Sequence, residues 1–132
     1  MRARGHDGRA RCGRARPGRC SGRDGKQLNR VGTAIETEVH RNGLRIMREL
    51  GSHGIGHTIH EEPRVESWYD GRDQTRMHDG MVFTIEPIIS ETSERTVKGA
   101  DGWTLSAHDG SWSAQFEHTV VVTRGRPIIL TA

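Results

Sequence analysis

The strongest constraint on how this chain folds is where its large apolar residues lie. No Val, Ile or Phe occurs before Val31, and all six aromatic residues follow residue 67. Burial of such side chains is the main force that stabilises a folded domain. A packed core can therefore come only from about residue 28 onward. A length of 132 residues allows one domain of ordinary size.

The charge divides at nearly the same place. Residues 1–30 carry nine Arg and one Lys against two Asp, a net charge of +8, whereas residues 31–132 have a net charge of −5. Residues 1–27 alternate Arg and Gly and have almost nothing to bury. We expect them to form a disordered head, because such a segment cannot offset its ordering entropy. The folded body is then residues 28–132.

Three interpretations of the Arg/Gly head remain open. It is a tail without a role, a charge-driven contact with RNA on the ribosome, or a zinc site built from His6, Cys12 and Cys20. The spacings of the zinc candidates fit no tight finger. Both cysteines lie in the head, so the body has no disulfide framework and we expect a reducing, cytoplasmic setting.

No apolar run in the chain is long enough for a membrane-spanning helix. The longest, Met81–Ile89, is interrupted by Thr84, Glu86 and Pro87, and a bilayer needs roughly 18 apolar residues. The Arg-rich beginning also lacks the apolar stretch of a secretory signal. We therefore expect neither a membrane partner nor a secretory signal.

The body begins with a helix signal. Apolar residues recur at helical spacing from Leu28 to Val39, and polar residues fill the other face. Asn42 and Gly43 then supply a left-handed helix stop. Alternating residues from Leu44 to Leu50 predict a short strand.

The rest of the body is predicted to be mostly strands. Met81–Ile89 is typical of a buried strand, and Arg126–Thr131 of a short edge strand. Gly102–Ser106 and Trp112–Val122 predict a hairpin around the turn His108–Gly110.

Two acids in apolar strands suggest a charged site. Glu86 and Glu117 both lie in apolar sequence without a flanking Lys or Arg, and a buried carboxylate needs a partner. His53, on a Gly-rich bend, is a candidate to join them around one cation. The alternative is that each acid faces solvent on the polar side of its strand. A helical zinc pair of His53 and His57 is disfavoured by the Gly-Ile-Gly between them.

Three motifs in this order are specific for a family. GSHGIGHTIHEEP at residues 51–63, FTIEP at residues 83–87, and DGWTL followed by SAQFEHTVVVT at residues 101–123 resemble the C-terminal half of a type I methionine aminopeptidase. The resemblance covers about residues 28–132. The related X-Pro aminopeptidases and prolidases share the first two motifs and are the lesser match.

The resemblance implies an α+β pita-bread fold, present here as its C-terminal half, with a bent antiparallel sheet and a flanking helix. It also implies a site with two divalent ions, which are Co, Mn, Fe or Zn in the family. Carried over by motif, His53 and Glu86 are metal ligands and Glu117 bridges both ions. The implied methionine pocket is lined by Ile59, Trp103 and Gln115, with Ile59 in place of a more usual aromatic residue. His60 is the implied contact of the scissile carbonyl.

The implied reaction is removal of the initiator methionine from nascent proteins. Two cations lower the pKa of a bridging water, which then attacks the first peptide carbonyl. Glu86 carries the proton to the leaving amine, and His60 donates to the developing oxyanion.

The resemblance also implies ligands that this sequence lacks. The family has two Asp ligands and a further catalytic His before the position of His53, and the only acids upstream of the helix are Asp7 and Asp24, in unrelated sequence. We therefore expect a truncated or frame-shifted product, or a mispredicted start, and a chain that holds at most one ion and has no activity alone. The alternatives are a non-catalytic pseudoenzyme or an X-Pro aminopeptidase or prolidase relative.

Overall fold

The computed structural model describes residues 24–131. Three expectations concern the Arg/Gly head, of which residues 1–23 lie outside the described range. They are its disorder, its RNA contact and its zinc site at His6, Cys12 and Cys20. Asp24–Gln27 are described, and they are held by backbone hydrogen bonds. The Gly25 amide donates to the Met77 carbonyl at 2.8 Å, and the Met77 amide donates to the carbonyl of Lys26 at 2.8 Å. These four residues thus pair with the folded body.

The predicted helix is confirmed as α1, Asn29–Arg41. Its apolar stripe packs Leu28 and Val31 into the core, while Ile35 packs against that core. Gly43 ends the helix with φ of 74°, and its amide donates to the His40 carbonyl at 3.0 Å. This left-handed position favours glycine, because a side chain there would be strained.

Ten short strands follow, and all of their pairings are antiparallel. They are β1 (Arg45–Ile46), β2 (Ser52–Gly54), β3 (Glu61–Val65), β4 (Val82–Ile85), β5 (Ile88–Ser90), β6 (Thr96–Lys98), β7 (Leu105–Ala107), β8 (Ser113–Gln115), β9 (His118–Val121) and β10 (Ile128–Ile129). Five of them form a sheet in the order β10-β9-β4-β2-β3, three form a sheet in the order β1-β5-β8, and β6 pairs with β7. The expected α+β architecture with an antiparallel sheet is observed.

The two larger sheets are joined by one ladder that is interrupted in the middle. β4 pairs with β9 up to Ile85 opposite His118, and β5 pairs with β8 from Ile88 opposite Gln115. Both pairings keep the same register, so the dipeptide at residues 86–87 faces the dipeptide at residues 116–117. The ladder breaks here because Pro87 has no amide hydrogen to donate. The predicted single strand Met81–Ile89 is thus two strands in two sheets.

Two other strand predictions are corrected. β7 and β8 do not form the expected hairpin around His108–Gly110, because β7 pairs with β6 and β8 pairs with β5. The turn itself exists, since Gly110 has φ of 74°. The strand expected from Leu44 to Leu50 is only the two residues of β1, because the Leu50 amide turns back to the Met47 carbonyl. The predicted edge strand is confirmed as β10.

The core lies between α1 and the five-stranded sheet. Phe83, Val65 and Val122 are fully buried. The same core cluster also contains Leu28, Val31, Met77, Met81 and Val120. In the described part of the chain, no helix has the length and hydropathy to cross a bilayer.

One glycine of α1 allows a close approach between the helix and the segment after β3. A Cβ atom on Gly32 would lie 2.2 Å from the Trp68 carbonyl oxygen and 2.7 Å from the Glu66 carbonyl oxygen. Since both neighbours are backbone atoms, they cannot move aside without shifting the segment. Only glycine fits at this contact.

We expect Gly32→Ala to lower the free energy of unfolding by about 1–3 kcal/mol, because overpacking outweighs the gain of about 1 kcal/mol in helix propensity. Urea unfolding followed by circular dichroism measures the change. Gly125→Ala is the control, because the Cβ there would have only Thr123 Oγ1 nearby, at 3.8 Å. A Gly32→Ala chain as stable as the parent would contradict this account of the contact.

Candidate active site

Glu86 is the buried carboxylate that the sequence predicts. It directly follows β4 and is 9% exposed. Its Oε1 accepts the hydroxyl of Thr84 at 2.7 Å, and its Oε2 accepts the side-chain amide of Gln115 at 2.9 Å. The Glu86 amide donates to the Ser52 hydroxyl at 2.9 Å. The two hydrogen bonds to the carboxylate oxygens offset part of the cost of burying this group.

His53, on β2, completes the group around Glu86. Its Nε2 lies 2.9 Å from Glu86 Oε1, and its Nδ1 lies 2.9 Å from the Gly54 carbonyl oxygen. A carbonyl only accepts hydrogen bonds, so Nδ1 carries a proton and the neutral ring has its lone pair on Nε2. Two acceptors at this distance need a proton or a cation between them.

Thr84 connects these two residues, and sequence analysis missed it. Its hydroxyl is fully buried; it accepts the His53 amide at 3.1 Å and donates to Glu86. A hydroxyl has one hydrogen to donate. The Glu86 carboxylate at 2.7 Å is a stronger acceptor for it than the His53 carbonyl oxygen at 3.3 Å. The sequence does contain a signal for Thr84: it is a polar residue in an apolar strand, two positions before Glu86. This spacing places both side chains on one face of the strand. Ser52 was missed in the same way.

His60 lies beside this group, on the loop between β2 and β3. Its ring centroid is 4.3 Å from that of His53, with the two planes tilted by 54°. His53, His60 and Glu86 line an open cleft of about 390 Å³, to which Glu49, Glu61 and Glu62 also contribute. The bend that carries these residues needs glycine, because a Cβ on Gly54 would lie 2.2 Å from the Glu62 carbonyl oxygen.

The structure does not bring every expected site residue into this cleft. Glu117 faces Glu86 across the interrupted ladder, but its side chain is exposed. Ile59 is 70% exposed and Trp103 is 88% exposed. Within residues 24–131, no group of three or more His, Cys, Asp and Glu residues is arranged to hold a metal ion. Of the three expected ligands, His53 and Glu86 are in contact, and the side chain of Glu117 is exposed.

The loop that carries Trp103 is nevertheless well defined. Asp101 Oδ1 accepts the amides of Trp103 at 3.0 Å and Thr104 at 2.9 Å, and Oδ2 accepts the Thr104 hydroxyl. The Thr104 hydroxyl, followed by these two amides, holds the pKa of the Asp101 carboxyl below its ordinary value. Hydrogen bonds thus fix the backbone of Trp103, while its indole ring is exposed.

Comparison with known proteins agrees with this fold. Metallopeptidase family M24 matches residues 20–124. Methionine aminopeptidase 2 of Bacillus subtilis is 41% identical over 108 residues, which are 81% of this chain and 43% of that protein. The methionine aminopeptidase of Aquifex aeolicus is 39% identical over 109 residues, which are 81% of this chain and 42% of that protein.

A solved structure shows the same relationship. The crystal structure of a methionine aminopeptidase from Thermotoga maritima superposes with a TM-score of 0.79 at 35% identity, over 83% of this chain and 44% of that one. The chain belongs to metallopeptidase family M24. Its predicted resemblance to methionine aminopeptidases and its relation to the pita-bread fold are confirmed. The chain spans less than half the length of the relatives it matches.

We expect Thr84→Val to lower the free energy of unfolding by about 1–3 kcal/mol, because it leaves a buried carboxylate oxygen and the His53 amide with one partner fewer. Urea unfolding measures the loss. Thr84→Ser keeps the hydroxyl and is the matched control, with a smaller loss from the missing methyl group. Equal losses in the two variants would show that the hydroxyl does not support Glu86.

Proposed function

We propose that this chain supplies the C-terminal part of the active site of a type I methionine aminopeptidase, which removes the initiator methionine from nascent proteins. The observation that carries the proposal is the contact of His53 with a buried Glu86, with His60 and Gln115 beside it. The names of the relatives support the substrate. Because nascent chains are its substrate, the protein would act in the cytoplasm.

The donor set supports binding of a divalent ion at His53 and Glu86. The Nδ1 hydrogen of His53 is directed to a backbone carbonyl, which leaves Nε2 free as a ligand, as in most metal-binding histidines. Carboxylate and imidazole suit the divalent ions of this family. Such an ion would lower the pKa of a bound water and so supply a nucleophile at neutral pH.

The remaining roles belong to side chains of the chain itself. Glu86, which Gln115 and Thr84 hold in place, would take a proton and pass it to the leaving amine. His60, open to the cleft, would donate a hydrogen bond to the oxygen of the scissile carbonyl. Ile59 and Trp103 are exposed apolar surfaces that would contact the methionine side chain.

Glu117 remains a proposed ligand, as the resemblance implies. Its backbone lies opposite Glu86, which supports its assignment to the same site. With Glu117 outside the group, however, two side chains are fewer than the three protein ligands of mononuclear hydrolytic zinc sites. We therefore propose that this chain binds at most one ion, and binds it weakly.

Titration of the purified chain with Zn²⁺, followed by native mass spectrometry, should give at most one bound ion per chain. His53→Ala should abolish this binding, because it removes Nε2. His78→Ala is the control, because the ring of His78 is exposed and its Nδ1 contacts only the carbonyl oxygen of Asp79. Retention of two ions, or unchanged binding by His53→Ala, would contradict the proposed site.

Activity is tested best in two forms of the protein. The chain alone should release no measurable methionine from a Met-Ala-Ser peptide, because its described residues join too few ligands. In a chimera, residues 24–131 replace the aligned part of the Bacillus subtilis relative. This chimera should release methionine from the same peptide. Glu86→Gln in the chimera should reduce turnover by at least a hundredfold, since that carboxylate is the proposed proton carrier.

Each result has a definite meaning. Steady methionine release by the chain alone, abolished by Glu86→Ala, would show that the missing ligands are supplied in another way. A folded but inactive chimera would contradict the proposed function. Failure to cleave a Leu-Ala-Ser peptide is the specificity control for the active chimera.

A further inference from the structure

The loop between β2 and β3 is organised by a side chain outside the proposed ligand set. The Thr58 amide donates to Glu61 Oε1 at 2.6 Å, and the Thr58 hydroxyl lies 3.3 Å from the same oxygen. The hydroxyl is closer to the His60 carbonyl, at 2.9 Å. Glu61 therefore binds the middle of the loop from the first residue of β3.

The other oxygen of this carboxylate lies against the beginning of the loop. A Cβ atom on Gly56 would be 2.8 Å from Glu61 Oε2, so the carboxylate would have to shift if Gly56 carried a side chain. The Gly56 amide itself donates to the Thr58 carbonyl at 3.2 Å. The loop is thus closed on itself around one carboxylate, and its last residue before β3 is His60.

The electrostatics agree with this geometry. The hydrogen bond from the Thr58 amide is the main cause that holds the pKa of the Glu61 carboxyl below its ordinary value. The Thr58 hydroxyl and the amide and charge of His57 lower this pKa further, whereas burial raises it. The carboxylate is therefore ionised at neutral pH and accepts charge-assisted hydrogen bonds, which are stronger than neutral ones.

We propose that Glu61 is a positioning residue, which fixes the loop at residues 55–60 so that the ring of His60 stays against the ring of His53. The catalytic meaning of this position rests on the function proposed above for His60. The position of the His60 ring does not depend on that proposed function, because it is a property of the folded chain. Ile59 lies in the same loop, so Glu61 also sets where the proposed methionine contact begins.

The neighbouring acid offers a matched control. Glu62 has the same side chain and also lines the cleft, but its Oε2 accepts only the Arg64 amide at 3.2 Å. Removing Glu62 therefore takes away an adjacent negative charge without touching the loop. Glu61→Gln is the conservative variant, because its amide oxygen can still accept from Thr58.

The test is solution NMR of the full chain and its variants. In the parent chain, the His53 and His60 ring protons should show a nuclear Overhauser contact, and the Thr58 amide should exchange slowly with solvent. Glu61→Ala should abolish the contact between the rings and raise the exchange rate of the Thr58 amide at least tenfold. Glu61→Gln should retain the contact between the rings, and Glu62→Ala should leave both signals unchanged.

Ring signals of the buried Phe83 show whether a variant is folded. A folded Glu61→Ala chain that keeps the contact between the rings would overturn the proposal, and so would a folded Glu61→Gln chain that loses it. If Glu61→Ala unfolds, Glu61→Gln decides the question alone. None of these signals depends on turnover, so an inactive chimera would contradict the proposed function without affecting this result.

Discussion

The interruption of the central ladder is the constraint on which the site depends. Because Pro87 cannot donate to the ladder, β4 and β5 separate into two sheets while β8 and β9 keep the same register opposite them. The break leaves Glu86 at the end of a buried strand, where its amide turns to the Ser52 hydroxyl instead of a strand partner. A carboxylate thus reaches the interior where the ladder of β4 and β5 with β9 and β8 is open.

The Glu86 carboxylate is held from three strands at once. Thr84 lies on its own strand, His53 approaches from β2, and Gln115 approaches from β8. No Lys or Arg side chain is among these partners, and the imidazole of His53 is the group that lies against the carboxylate.

The degree to which the sequence predicted the structure differs from element to element. The helix α1 and its Gly43 stop were predicted correctly, because helical periodicity and a left-handed glycine are local signals. The hairpin around His108–Gly110 was wrong, because the turn is local but the partners of β7 and β8 are not. Sequence patterns state that a strand exists more reliably than they state which strand it pairs with.

The candidate site shows the same division. The sequence by itself determined the residue types, the motif order and the family, since these depend only on the identity of neighbouring residues such as those around His53 and Glu86. Only the tertiary structure decided that Glu86 is buried while Glu117, in similar apolar sequence, is exposed. It also decided that Thr84 joins His53 to Glu86. Burial and hydrogen bonding depend on contacts between segments about 30 residues apart, and no local pattern encodes which of two acids those segments enclose.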